Sequence, residues 1–143
     1  MSLSDKIQDP DTKANMADDC AKLLDEQVSS KNGLSGLTVK TAYRALKGIG
    51  PTYVPRALQR LLPKALDALE PLWMQGLAKG EPVEFLSSNR TDAADALLTM
   101  TDGIVSTSKN KIVVAAYKQV RKSLKGDVET AIPGLAEIIQ RHT

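Results

Sequence analysis

Two short loops carry the same three residues, Ser30-Lys31-Asn32 and Ser108-Lys109-Asn110. A lysine beside the free backbone amides of a helix N-terminus can hold phosphate or another anion, which makes Lys31, Asn32, Lys109 and Asn110 a candidate anion site. Serine and asparagine are also ordinary N-caps that satisfy the same amides with no ligand, and capping explains the recurrence more simply. A basic face is the second candidate. Lys40, Arg44 and Lys47 in one segment, with Lys118, Arg121, Lys122 and Lys125 in another, could track a nucleic-acid backbone or an anionic membrane surface. A net charge of only +2 and the lack of interleaved aromatic residues for base stacking weigh against that use. Trp73, Met74 and Phe85 form a third group, which could line a cleft for a small apolar ligand. Packing of an internal joint accounts for the same residues.

The constellations of enzymes are missing. The single histidine, His142, stands beside the last residue, where chains fray, so neither histidine-dependent catalysis nor zinc chemistry is expected. Cys20 is the one cysteine; it falls on an apolar helical stripe, where a buried inert thiol is expected and not a nucleophile. The carboxylate pairs Asp18/Asp19 and Asp92/Asp95 lack the Glu-x-x-His partner used by metal sites in helical bundles, and they complement helix N-terminal dipoles instead. Gly33-Leu34-Ser35-Gly36 is too short for a phosphate loop and lacks its lysine-serine pair. No catalytic residue, metal or cofactor is expected, and the chain reads as a non-enzyme.

The elements that would position these residues follow from charge and periodicity. A chain of 143 residues, 42% hydrophobic, can bury one core as a single domain over 1–143 without metal or disulfide. One unpaired cysteine, no export signal between Met1 and Pro10, and no run near the ~20 apolar residues of a membrane span point to a cytoplasmic protein. The charge is segregated. Residues 1–30 hold three bases and seven acids, 31–66 seven bases and no acid, 67–104 two bases and seven acids, and 105–126 six bases and no acid. This doubled cycle suggests a duplication, and identities support it. Ala17, Asp18, Asp25, Val28 and Ser29 recur as Ala94, Asp95, Asp102, Val105 and Ser106. After one inserted residue, Lys40, Leu46-Lys47-Gly48, Thr52 and Pro55 recur as Lys118, Leu124-Lys125-Gly126, Thr130 and Pro133.

Each repeat reads as three helices. Ala17, Cys20, Ala21, Leu24 and Val28 keep helical spacing and predict a helix over 12–29. The spacing of Val39, Ala42, Tyr43 and Leu46 predicts another over 35–47, ended by a left-handed cap at Gly48, and Pro55 opens a third over 55–62. The second repeat, 89–141, repeats the pattern at 91–105, 110–125 and 133–141, with Gly126 as a stop. Between them, 63–88 is a connecting helix kinked by Pro63 and Pro71 and stopped at Gly80, with a short turn to follow. The expected fold is all-α: two pseudo-symmetric three-helix repeats joined by a kinked helix. An antiparallel register pairs Asp18 with Lys47, Asp25 with Lys40, Asp95 with Lys125 and Asp102 with Lys118.

Lys31-Asn32-Gly33-Leu34-Ser35-Gly36, Lys40-Thr41-Ala42-Tyr43, Asp95-Ala96-Leu97-Leu98, Thr101-Asp102 and Val128 to Leu135 carry a resemblance. At these positions the chain resembles a family of small, uncharacterised, all-helical bacterial proteins over nearly its whole length. The resemblance implies a cytoplasmic bacterial setting and no activity, cofactor or active site. The functional expectation is a non-catalytic interaction or scaffold module with a protein partner and no membrane insertion. The alternatives are nucleic-acid or anionic-surface binding through the basic helices 35–47 and 110–125, and carriage of a small apolar ligand near Trp73.

Overall fold

In the computed structural model, which describes residues 2–143, a 3-10 turn at Ser4–Ile7 precedes six helices, and the described residues contain no strand. The helices are α1 (Pro10–Ser30), α2 (Gly33–Lys47), α3 (Tyr53–Ala78), α4 (Pro82–Ser88), α5 (Arg90–Ser106) and α6 (Lys111–His142). Asp9 caps α1 by accepting from the Thr12 amide at 3.0 Å, with Pro10 in the first turn, where its missing N–H costs nothing. Between α3 and α4 the chain reverses at Gly80, whose φ of +76° suits glycine. The Gly80 and Glu81 amides donate back to the Leu77 and Gly76 carbonyls, a Schellman ending of α3.

The second and third segments of both repeats depart from expectation. The helix expected over 55–62 and most of the connecting helix 63–88 form one helix, α3, which runs through Pro63 and Pro71. Each proline forfeits one helical hydrogen bond, yet the buried stripe Leu62, Leu66, Leu69, Trp73 and Gly76 stays in phase across both. The same holds for α6, where 110–125 and 133–141 are continuous through Gly126 and Pro133, and Ile132, Ala136 and Ile139 share one buried face. Gly48 ends α2 with a right-handed φ of −67°, not the left-handed cap expected, and the chain turns through Pro51 into α3. The halves therefore differ: a turn separates α2 from α3, and no turn divides α6.

The main core joins Leu3 and Ile7 of the N-terminal segment to Met16 of α1, Leu66, Leu69 and Trp73 of α3, Leu86 of α4 and Ile139 of α6. A smaller cluster of Val28, Tyr43 and Val54 lies where α1, α2 and α3 meet. α5 and α6 pack as an antiparallel hairpin, whereas α2 lies mainly on α6 and only lightly on α1.

The ion pairs record these placements. Asp95 meets Lys125 at 3.0 Å, as the register requires. Asp25 pairs with Lys47 at 3.1 Å and not with Lys40, Asp102 pairs with Arg121 at 2.8 Å and not with Lys118, and Asp18 forms no ion pair among the described residues. Two tyrosines cause the shift. Tyr43 donates its hydroxyl to Asp25 and Tyr117 donates to Asp102 at 2.5 Å, so each carboxylate is fixed by a largely buried ring that needs a polar partner. The cation one turn further along completes each group. His142 is not frayed: its Nε2 lies 2.7 Å from Asp19, which Arg141 also bonds at 3.0 Å.

Arg121 and Tyr117 hold the Asp102 carboxyl down at about 2. A carboxylate whose pKa is lower folded than unfolded adds stability above about pH 4, and the addition vanishes as pH falls through its folded value. Asp102→Asn removes that contribution. The difference in Tm between wild type and D102N is expected to be open at about pH 6, to narrow below about pH 4 and to close only below about pH 2. Thermal melts across that range check it, and a difference unchanged at the acid end would refute the pairing.

Candidate functional site

Adjacent leucines on one helix lie 100° apart, so a leucine doublet widens an apolar face beyond what one neighbouring helix covers. The chain has Leu23-Leu24 in α1, Leu61-Leu62 in α3 and Leu97-Leu98 in α5. Leu62 and Leu98 are buried, while Leu23, Leu24, Leu61 and Leu97 remain half-exposed. All of them border one partly open cavity of about 350 Å³.

Its walls come from helical stripes. α1 supplies Cys20, Leu24 and Val28 at successive turns, α3 supplies Leu58, Leu61, Leu62 and Ala65, and α5 supplies Leu97, Leu98 and Thr101. From α6 come Tyr117, Leu124, Val128, Ile132 and Leu135, and from α2 comes Val39. The cavity thus lies between the two core clusters. Large side chains that could fill it are few, because aromatics make up only 3% of the chain and Trp73 packs elsewhere.

Lys31, Thr101 and Tyr117 at its margin are engaged with other polar side chains. Lys31 at the end of α1 forms an ion pair with Asp127 of α6, and the second Asp127 oxygen, Oδ2, is covered by protein without a hydrogen-bond partner. The Tyr117 hydroxyl sits 2.8 Å from Thr101 Oγ1 and donates to Asp102, which leaves the tyrosine ring as wall. Burial, with the Asp19 charge beside it, pushes the Cys20 thiol up to about 11, so it stays protonated at neutral pH and presents a small apolar surface.

An aqueous cavity with such walls is unfavourable to water and favourable to carbon. Ligand sites span roughly 300–1,000 Å³. A dry cavity of roughly 150 Å³ takes up benzene, so this one has space for on the order of a dozen carbon atoms.

The structure distributes the residues singled out by sequence as follows. Lys31 is spent on Asp127, Asn110 caps α6 by accepting from the Ile112 and Val113 amides, Asn32 makes no capping bond, and Lys109 is exposed. Of the basic face, Lys47, Arg121 and Lys125 are paired with Asp25, Asp102 and Asp95, whereas Lys40, Arg44, Lys118 and Lys122 carry no ion pair among the described residues. Trp73 is 2% exposed in the main core, and its chain neighbour Met74 is 49% exposed. Phe85 lies under the Lys79 ammonium, 5.0 Å from the ring centroid. None of the three borders the cavity around Leu61. The cavity-lining leucines were not singled out, although the doublets marked them.

Among the described residues no three metal-binding side chains gather, and no helix is long and apolar enough to cross a membrane. No curated protein and no solved structure matches the chain. One family model does, and its match over residues 3–143 takes in every helix that walls the cavity; the chain belongs to that family, a family of unknown function (DUF6918).

Proposed function

We propose that this protein is a non-catalytic, cytoplasmic binder of a small aliphatic molecule, held in the cavity between α1, α3, α5 and α6. The observation that carries the reading is the apolar cavity of about 350 Å³ walled by half-exposed leucines. Side chains left half-covered in the middle of a bundle forgo burial worth about 25 cal/mol per Å², and an occupant recovers it. The ligand position moves from Trp73, which is sealed in the core, to the space around Leu61. A free, buried thiol at Cys20 fits a reducing compartment.

The cavity also fits a duplicated origin. Asp25 with Tyr43 and Lys47, and Asp102 with Tyr117 and Arg121, are two versions of one cluster, one in each half. The tyrosine and cation correspond one helical turn away from the register of the sequence identities. On this reading two related helix pairs meet with their apolar faces incompletely matched, and the cavity is the mismatch.

The test is a series of straight-chain primary alcohols, neutral so that only the chain varies, measured by calorimetry. Each added methylene that finds space contributes about 0.8 kcal/mol, so affinity is expected to rise about fourfold per carbon. The rise should stop near about a dozen carbons, where the cavity is full. No binding at any length would overturn the reading.

A second reading, a protein-interaction module, draws on Leu34 and Leu37, which are 86% and 64% exposed on one face of α2. A nucleic-acid role draws on the weaker feature, a basic face that has given Lys47, Arg121 and Lys125 to internal pairs.

A further inference from the structure

Beside the apolar cavity lies a second chamber of about 490 Å³, and the two share Leu61, Thr101 and Tyr117 as common walls. The chemistry differs between the two. The second chamber is bordered by Arg60 and Lys64, and no acid borders it. These bases stand one turn apart on α3, on the face that also presents Ala57 and Leu61, so both reach the same space. Neither has an ion-pair partner among the described residues, in contrast to Lys31, Lys47, Arg121 and Lys125, which do. Ser108 lies at the same chamber, and its oxygen already accepts from the Asn110 amide, which leaves the hydroxyl proton to donate.

Two unpaired cations and a hydroxyl beside an apolar cavity are complementary to one class of molecule. Resting on the cavity reading above, we infer that the ligand is a single-chain amphiphile with an anionic head. Its chain lies in the cavity and its carboxylate or phosphate lies between Arg60 and Lys64. The alignment is fixed at both ends: the cavity walls repel a charged head, and the chamber offers it two cations, the nearby Asp102 carboxylate being already held by Tyr117 and Arg121.

Calorimetry with decan-1-ol, decanoate and decyl phosphate tests this on wild type and on the double variant R60Q/K64Q. Both replaced side chains are exposed, so the variant should fold, and a circular dichroism melt verifies it. Decanoate is expected to bind wild type about tenfold more tightly than decan-1-ol, with the margin falling as salt is raised. R60Q/K64Q should lose the margin and keep its affinity for the alcohol. Tighter binding of decyl phosphate than of decanoate assigns a phosphate head, and the reverse order assigns a free fatty acid. Equal affinity of wild type for alcohol and acid overturns the head-group inference and leaves the cavity reading standing. Failure of all three to bind overturns both.

Discussion

Leu61→Trp is expected to abolish binding of a ten-carbon alcohol or acid, with affinity down by at least about a hundredfold, while leaving the protein as stable as before or more so. Leu61 borders both the apolar cavity and the basic chamber. An indole at that point takes up space in both. Losing room for even four methylenes removes about 3 kcal/mol of transfer free energy, which is more than a hundredfold in affinity. The stability measurement is the sharper half. Enlarging a side chain in a close-packed core costs about 1–3 kcal/mol, whereas filling an existing void commonly adds about 0.5–2 kcal/mol. With Tm moving about 3 °C per kcal/mol for a chain of this size, the two cases differ in sign and are easily separated by calorimetry. A Tm lowered by several degrees would show that the space around Leu61 is already filled, and the proposed binding site would fall with it.

The parts of this fold written in local sequence are those with local causes. α1 follows from the Asp9-Pro10 start and its apolar stripe, the end of α3 from Gly80, and the α5–α6 pairing from Asp95 and Lys125. The continuity of α3 and α6 was hidden because local rules and tertiary packing oppose each other there. An internal proline costs about 3 kcal/mol and a glycine about 1 kcal/mol. In α3 two prolines together cost about 6 kcal/mol; burying Leu62, Leu66, Leu69 and Trp73 on one unbroken face, at about 1.5–3 kcal/mol each, matches or exceeds that, but only once the partners of the face are known. The register at Asp25 was hidden for a related reason: charge spacing assigns Asp25 to Lys40, whereas the pairing with Lys47 is set by Tyr43, whose ring is buried and whose hydroxyl must find an acceptor.

The site was less legible than the fold because periodicity reports which face is apolar and not how completely it is covered. Leu23-Leu24 and Leu97-Leu98 look in sequence like well-buried core, and in the structure one side of each doublet faces empty space. The repeated Ser-Lys-Asn reads as a pair of caps or an anion site, and Lys31 of the first copy meets Asp127, a residue 96 positions away that no local pattern could indicate. Arg60 belongs to the helix expected over 55–62 and Lys64 to the connecting helix, and the unbroken α3 places them together on one face beside Leu61.

Trp73→Ala separates the roles of the two hydrophobic regions. The indole is 2% exposed and packs in the cluster of Leu66, Leu69, Leu86 and Ile139, and it borders neither the cavity nor the chamber. Removing it deletes the largest side chain of the core and leaves a void that α3 cannot close, since Gly76 already brings the α4 backbone against the helix: a Cβ there would stand 2.7 Å from Pro82 Cα. Replacing a buried tryptophan by alanine costs about 3–5 kcal/mol, or roughly 9–15 °C in Tm. Ligand affinity, measured well below the lowered Tm, should be unchanged within about twofold, because no wall of the binding space has moved. Trp73→Phe, which keeps most of the volume, should show the same pattern with a smaller loss of stability. A loss of decanoate binding in Trp73→Phe, at a temperature where circular dichroism shows the variant folded, would return the ligand to the neighbourhood of Trp73 and remove it from Leu61.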